Sequence, residues 1–179
     1  MKKVVAVEYL SLDGIMSDPA WTAPYFNDEM GRLQDQWFSE SDSMLLGRVT
    51  YEGMSKAWMA NTDGSSFTTR INALPKRVVT NTLTDLTWNA TPLGGDVSGE
   101  VRAMKQGAGG NVLIYGSGQL VRSLLGQGLI DELHLIVCPV VVGEGLRLFS
   151  EESRAALRLA GVQTTATGIA VLSYRPEEK

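Results

Sequence analysis

The sequence predicts an α/β sandwich whose largely parallel sheet is finished by antiparallel strands. Three observations carry that expectation. Strand-like runs alternate with segments of helical spacing through about residue 126, strands then follow one another without a helix after Ile130, and two buried runs end in a glycine turn that opens a helix.

The first strand is Lys3 to Tyr9, rich in valine and ended by the turn residues Ser11, Asp13 and Gly14. Ser17 to Pro24, with two prolines, reads as a loop. From about Tyr25 to Ser39 the apolar residues Phe26, Met30, Leu33 and Trp37 recur three or four apart, which puts them on one helical face. Ser43 to Leu46 is expected as the second strand and Val49 to Ser55 as a short helix. The polar stretch Asn61 to Pro75 gives a loop and a brief helix up to Leu74.

Arg77 to Thr80 and Thr84 to Trp88 are expected strands, and Ser98 to Gln106 a helix broken by Gly107 to Gly110. Asn111 to Tyr115 is a buried strand, followed by a helix from Gln119 to Leu125 closed by Gly126 and Gly128. Glu132 to Val142 reads as one long strand. Leu157 to Val162 and Ile169 to Tyr174 form a hairpin around Ala166-Thr167-Gly168. With no repeat, low-complexity segment or linker, residues 1 to 179 are expected to form a single domain.

Composition narrows the function. A chain of 179 residues buries roughly 70% of the surface that its unfolded form exposes. Its net charge of -4 argues against a nucleic-acid binder, because phosphate backbones are held by clustered Lys and Arg. One cysteine, Cys138, and one histidine, His134, allow neither an internal disulfide nor a Cys/His zinc site, so no metal is expected. Cys138 before Pro139 reads as buried packing, and His134 as a strand-surface or interface residue. No run approaches the roughly 20 apolar residues of a membrane span. Val4 to Val7 is cut short by Glu8 with no small-residue cleavage site after it, so a cytoplasmic protein is expected.

The chemistry lies in two matched segments, SMLLGRVTYEGM at 43 to 54 and NVLIYGSGQLVRSLL at 111 to 125. Each is strand, glycine turn, helix. A helix start presents unpaired N–H groups and the positive end of the dipole, and glycine lets a phosphate approach the backbone closely. Both turns belong at the carboxyl ends of strands, where ligands of open α/β sheets bind. Arg48 adds a rigid fork of donors suited to a terminal phosphate, and Thr50 caps its helix or binds phosphate. Val121 stands where a G-x-G-x-x-G fingerprint needs its third glycine, so the Rossmann pattern is not met.

These residues resemble the dihydrofolate-reductase-like superfamily, in particular its branch related to the C-terminal reductase domain of riboflavin biosynthesis. The matching pieces are Ser11-Leu12-Asp13-Gly14, Leu45 to Glu52, Tyr115-Gly116-Ser117-Gly118 with Leu124-Leu125, and Asp131-Glu132-Leu133 running into Pro139 to Gly143. The resemblance implies a three-layer sandwich and an NADPH-dependent reductase acting on a small pterin- or pyrimidine-like heterocycle. It implies that Arg48 and Thr50 hold the adenosine-side phosphates, with Gly47 permitting the cofactor's close approach, and that Thr80 and Asn81 lie near the adenine ribose. By the same likeness Gly116, Ser117, Gly118, Gln119 and Leu120 wrap the pyrophosphate, and Leu12, Asp13 and Gly14 lie along the nicotinamide.

The sequence departs from that pattern at the acid. Trp21-Thr22-Ala23-Pro24 matches the start of the reductase motif, but the carboxylate comes two places late, as Asp28. Two residues are about half a helical turn. Asp28 is nevertheless the candidate proton donor, an ordered water being the alternative. Trp21, Tyr25 and Phe26 are the expected apolar wall for the substrate, with Trp58 a further candidate. The expected alternatives are the riboflavin-pathway 5-amino-6-(5-phosphoribosylamino)uracil reductase and a non-catalytic NADP-binding sensor or assembly protein. The long apolar strands after Ile130 predict a homodimer that covers their edge.

Overall fold

A computed structural model describes residues 1–151 and 153–177. The strands are β1 (Val4–Leu10), β2 (Ser41–Gly47), β3 (Lys76–Val79), β4 (Ala90–Leu93), β5 (Asn111–Tyr115), β6 (Glu132–Val137), β7 (Leu157–Thr164) and β8 (Ala170–Pro176). The helices are α1 (Asp28–Ser39), α2 (Arg48–Met59), α3 (Ser66–Ala73), α4 (Val97–Gln106) and α5 (Gly118–Gly126), with a 3-10 helix at Pro19–Tyr25. One eight-stranded sheet runs in the order β4-β3-β2-β5-β1-β6-β8-β7. Pairings from β4 to β6 are parallel, and those of β6 with β8 and of β8 with β7 are antiparallel.

Alternation along the strands builds the three layers. Val4, Ala6 and Leu10 of β1 pack with Val112 and Ile114 of β5 and with Leu120, Val121 and Leu124 of α5. Val5 and Val7 face the other way, toward Met30, Trp37 and Phe38 of α1, Tyr51 of α2 and Ile71 of α3. The central strands are buried on both faces, which is why Met44-Leu45-Leu46 and Val112-Leu113-Ile114 read as continuous apolar runs.

Four expectations are corrected. Thr84 to Trp88 is not a strand: Trp88 and Asn89 both take left-handed backbone (φ 60 and 51), a turn that delivers the chain to β4 instead. The long strand from Glu132 stops at Val137, just before Cys138 and Pro139, whose ring removes the N–H a ladder needs. Ser17 to Pro24 is not wholly loop, since Pro19 starts the 3-10 helix. Thr50 does not cap α2, because Gly47 occupies that position.

Lys76 is a core residue that composition gave no reason to expect. Its ammonium lies under the carboxyl end of α3, donating to the carbonyls of Ile71 (2.5 Å) and Leu74 (2.6 Å), with the Trp88 ring 4.1 Å away. Those carbonyls are the negative end of the helix dipole, so the charge is held where the field favours it. Burial pushes its pKa down to about 8.

Candidate functional site

Parallel pairing places the carboxyl ends of β3, β2, β5 and β1 side by side on one edge of the sheet. At those ends, in that spatial order, stand Thr80-Asn81, Gly47-Arg48, Gly116-Ser117 and Ser11 to Gly14. Three strand spacings carry this row across about 14 Å. The chain leaves β1 toward β2 on one side, and leaves β5 for β6 on the other, so the crevice of a topological switch opens here.

The two glycine turns touch. The Gly47 amide donates to Ser117 Oγ at 2.9 Å, and a Cβ on Gly116 would sit 3.3 Å from Thr50 Cγ2. Gly116 and Ser117 are consecutive left-handed residues, φ 70 and 68. For serine that conformation costs roughly 1–2 kcal/mol, and the bond from Gly47 helps to hold it. Strain of this kind concentrates at binding turns.

The helix starts differ in a telling way. Asn27, Ser65 and Asp96 cap α1, α3 and α4 with their side chains, accepting from the amides of Met30, Thr68 and Gly99. Neither α2 nor α5 has a side-chain cap. Among the five α-helices the two open starts are the two on the crevice, the 3-10 helix at Pro19–Tyr25 being the other helix without a side-chain cap, and Ser117, which would otherwise serve as a cap, is engaged by Gly47. First-turn amides and two dipoles are thus left to an anionic ligand. Arg48 lies at the first position of α2 in a half-exposed pair with Glu52 (3.1 Å), available for exchange with a phosphate.

Other predicted residues fall around this row. Thr80 is buried and its hydroxyl accepts from the Thr82 and Leu83 amides, while Asn81 is exposed beside Gly94. Gln119 is exposed, but the Leu120 side chain is core, which leaves only its backbone for a ligand. Leu12 is 63% exposed at the end of β1, and its amide donates to the Val140 carbonyl. Asp13 is a strut: its carboxylate accepts from the Ser11 hydroxyl and from the amides of Val142 and Gly143. Those bonds, led by the one from Ser11, hold its pKa down to about 2. Gly14 takes φ 81, which closes the turn onto Ser11.

On the α1 face the expected wall is only partly assembled. Trp21 donates to the Ser17 carbonyl and, with Tyr25, packs on the edge of the core, whereas Phe26 is 49% exposed. Trp58 meets Phe67 edge to face (5.3 Å) between α2 and α3. Asp28 is exposed at the first position of α1. Its neighbour Glu29 has the structural task, accepting from the Asn27 amide group and the Ala166 amide.

Sequence reading missed the polar group on this face. Gln34 of α1 donates through its amide nitrogen to the Tyr9 hydroxyl (2.8 Å) and also to the Tyr115 hydroxyl. Burial raises both phenols above their ordinary pKa. The available signal was a tyrosine at the end of each of two strands just before their turns; Gln34 offered none. Glu8 was also missed. It is 3% exposed on the opposite face of β1, its Oε1 has no hydrogen-bond partner among the described residues, and burial pushes its pKa up to about 8 against the pull of Arg122.

His134 meets the Ser173 hydroxyl at 2.8 Å and lies over Trp37, and burial pushes its pKa down. Cys138 is buried, with its thiol pushed up to about 11. A cavity of about 540 Å³ lies along the second half of α5 and is lined by Arg122, Ser123, Phe149 and Arg154. None of the crevice turns lines it. Among the described residues no helix is long and apolar enough to cross a membrane, and no cluster of His, Cys, Asp and Glu suits a metal.

Known proteins share this architecture. The uncharacterised protein YwjB of Bacillus subtilis is 25% identical over 166 residues, covering 90% of this chain and 91% of its own. A putative riboflavin biosynthesis protein from Shewanella sp. PV-4 superposes with a TM-score of 0.77 at 20% identity, covering 98% of this chain and 99% of that one. Dihydrofolate reductase from Enterococcus faecalis, complexed with NADP(H) and RAB-propyl, superposes with a TM-score of 0.68 at 14% identity, covering 98% and 97%. The fold is therefore dihydrofolate-reductase-like. The family model of the RibD C-terminal domain matches residues 2–171, nearly the whole sheet and both crevice turns, and the chain belongs to that family.

Proposed function

We propose that the protein is an NADPH-dependent reductase that passes a hydride to a small pterin- or pyrimidine-like heterocycle. The observation that carries this reading is the contact between the Gly47 amide and Ser117 Oγ, which joins two uncapped helix starts into one anion cradle. The bound nicotinamide supplies the hydride. The chain supplies position: Gly116 to Leu120 and Gly47 to Thr50 hold the phosphates through backbone amides, Thr80 and Asn81 border the adenine ribose, and Leu12 to Gly14 border the nicotinamide. The Asp13 struts keep that last turn from collapsing into the crevice. Water or Asp28 delivers the proton.

Fluorescence titration with NADPH and NADH tests the reading. NADPH is expected to bind more tightly. Arg48→Ala should weaken NADPH by about 10–100-fold, the worth of a charged hydrogen bond to phosphate, and leave NADH unchanged. No binding of either nucleotide would end the proposal. The riboflavin-pathway pyrimidine reductase is the more specific alternative. The exposure of Asp28 favours a second reading, a nucleotide-binding sensor without turnover. Binding without NADPH oxidation in the presence of dihydrofolate or a ribosylaminopyrimidine would support it.

We also propose a cytoplasmic homodimer. Edge strand β7 carries Leu159 and Val162 about half exposed (50% and 54%), an edge that a second copy can cover. Light scattering at micromolar concentration should report twice the mass of the chain.

A further inference from the structure

Glu8 stands on β1 one residue past the Val7–Tyr115 pair, so Gly116 is its neighbour on β5, and the Gly116 amide donates to the Val7 carbonyl at 3.0 Å. That sets its backbone one strand spacing, about 4.8 Å, from the first left-handed residue of the phosphate turn. Alternation turns the side chain to the face of Ala6 and Leu10, which pack against Leu120, Val121 and Leu124 of α5. Glu8 is 3% exposed there, and its Oε1 has no hydrogen-bond partner among the described residues. The helix on that face is one of the two whose starts are left open, with Met16 and Leu148 closed over Gly118.

The charges around Glu8 come from five elements. From α5 comes Arg122, whose Nη1 donates to the carbonyls of Arg147 (3.0 Å) and Leu148 (2.9 Å) instead of to Glu8. From β5 comes Tyr115, a phenol that burial makes harder to ionise, Glu8 adding to the effect. β6 sets Leu135 opposite Glu8 and turns Glu132 and His134 to the other face. The turn after β1 brings Asp13, already bound to Ser11, Val142 and Gly143. The segment before Phe149 brings Glu144, which is exposed, and Arg147, whose Nε donates to the Asp13 carbonyl. Burial outweighs the pull of Arg122 and raises the pKa of Glu8 to about 8. Among these groups Glu8 is the one that changes charge between about pH 7 and 9.

We propose that Glu8 makes nucleotide binding proton-linked: protonated, it leaves the cradle open to the pyrophosphate, and ionised it repels that group, so that binding takes up a proton. The inference rests on the reading of the two turns as a nucleotide cradle and adds a regulation to that site. An ionised Glu8 and a phosphate on the Gly116 turn share the positive end of the α5 dipole across a floor without water. Unit charges about 10 Å apart at an effective dielectric of about 20 repel enough to change affinity tenfold or more. The same repulsion holds the proton on Glu8 more firmly once phosphate is bound. The complex therefore binds more protons than the free protein, and affinity falls as pH rises through the free-state pKa of about 8.

Calorimetric titration of NADPH into the native protein and into Glu8→Gln, in two buffers that differ in ionisation heat, measures affinity and proton uptake together. Near pH 7 the two proteins should bind alike. At about pH 9 native affinity should have fallen about fivefold relative to the variant, part of the roughly tenfold limit. At about pH 8.5 the native protein should take up about half a proton more per nucleotide than the variant. Titration of the nucleotide and of Lys76 is common to both proteins and drops out of the comparison. Equal pH dependence in the two proteins overturns the proposal. So does the absence of proton uptake by the native protein, whether or not the variant folds. If neither protein binds NADPH, the reductase reading fails instead, and inorganic pyrophosphate takes the nucleotide's place in the same comparison. Failure of pyrophosphate to bind, or binding with the same pH dependence in both proteins, then overturns the role of Glu8 as well.

Discussion

Glu8→Gln is expected to remove most of a loss of stability that the native protein suffers as pH rises from about 4.5 to about 8. Glu8 is buried on β1 with an Oε1 that has no partner among the described residues, and its folded-state pKa is raised from 4.5 to about 8. Within that window the folded chain keeps the proton and the unfolded chain releases it. The unfolded state then binds fewer protons, so stability falls with pH. Each unit is worth about 1.4 kcal/mol, which makes the whole fall about 5 kcal/mol. It is complete above the folded pKa and absent below the unfolded one. Glutamine keeps the shape and cannot ionise. Denaturant unfolding of both proteins at several pH values isolates the effect, because Lys76, His134 and the other groups titrate alike in each. The curves should meet at acid pH and separate by several kcal/mol above about pH 8. Parallel curves would mean that the carboxylate finds a counter-charge when it ionises, Arg122 being the nearest in effect.

Phe38→Ala is expected to cost about 3–5 kcal/mol. The ring is fully buried on α1 and packs edge to face on Phe67 at 5.0 Å and against Tyr115 at 5.4 Å. Its removal leaves a cavity between α1, α3 and the sheet that rigid strands β2 and β5 cannot close. The loss also reaches the site. Tyr115 then keeps its edge contact with Tyr9 but loses the Phe38 ring beside it, so NADPH binding at the adjoining Gly116 turn should weaken along with stability. Urea unfolding gives the first quantity and the NADPH titration the second. Phe38→Leu refills most of the volume and should cost less than half as much in stability. An alanine variant as stable as the native protein would show that α1 collapses onto the sheet.

The fold was legible because its cause is local. Apolar runs at 4–7 and 112–114 and the three-or-four spacing of Met30, Leu33 and Trp37 reflect which side chains must leave water, and that pattern survives in one dimension. The turns Gly47-Arg48 and Gly116-Ser117 were legible for the same reason, since a strand that stops at glycine and opens a helix is a contiguous signal. The misses have local causes of another kind. Thr84 to Trp88 has strand composition, but the left-handed turn at Trp88-Asn89 is held by contacts from afar, such as the bond from Trp88 to Asn72 at 2.6 Å.

By itself the sequence determined the layers, the parallel and antiparallel halves of the sheet, and two glycine turns fit for phosphate. Only the tertiary structure decided that those turns touch, that of the five α-helices α2 and α5 begin without side-chain caps, and that Tyr9, Gln34 and Tyr115 converge although 106 positions separate the first from the last. Periodicity records whether a residue is buried. It carries no information about which distant residue it meets, because that depends on strand order, and strand order is settled by the packing of the whole sheet.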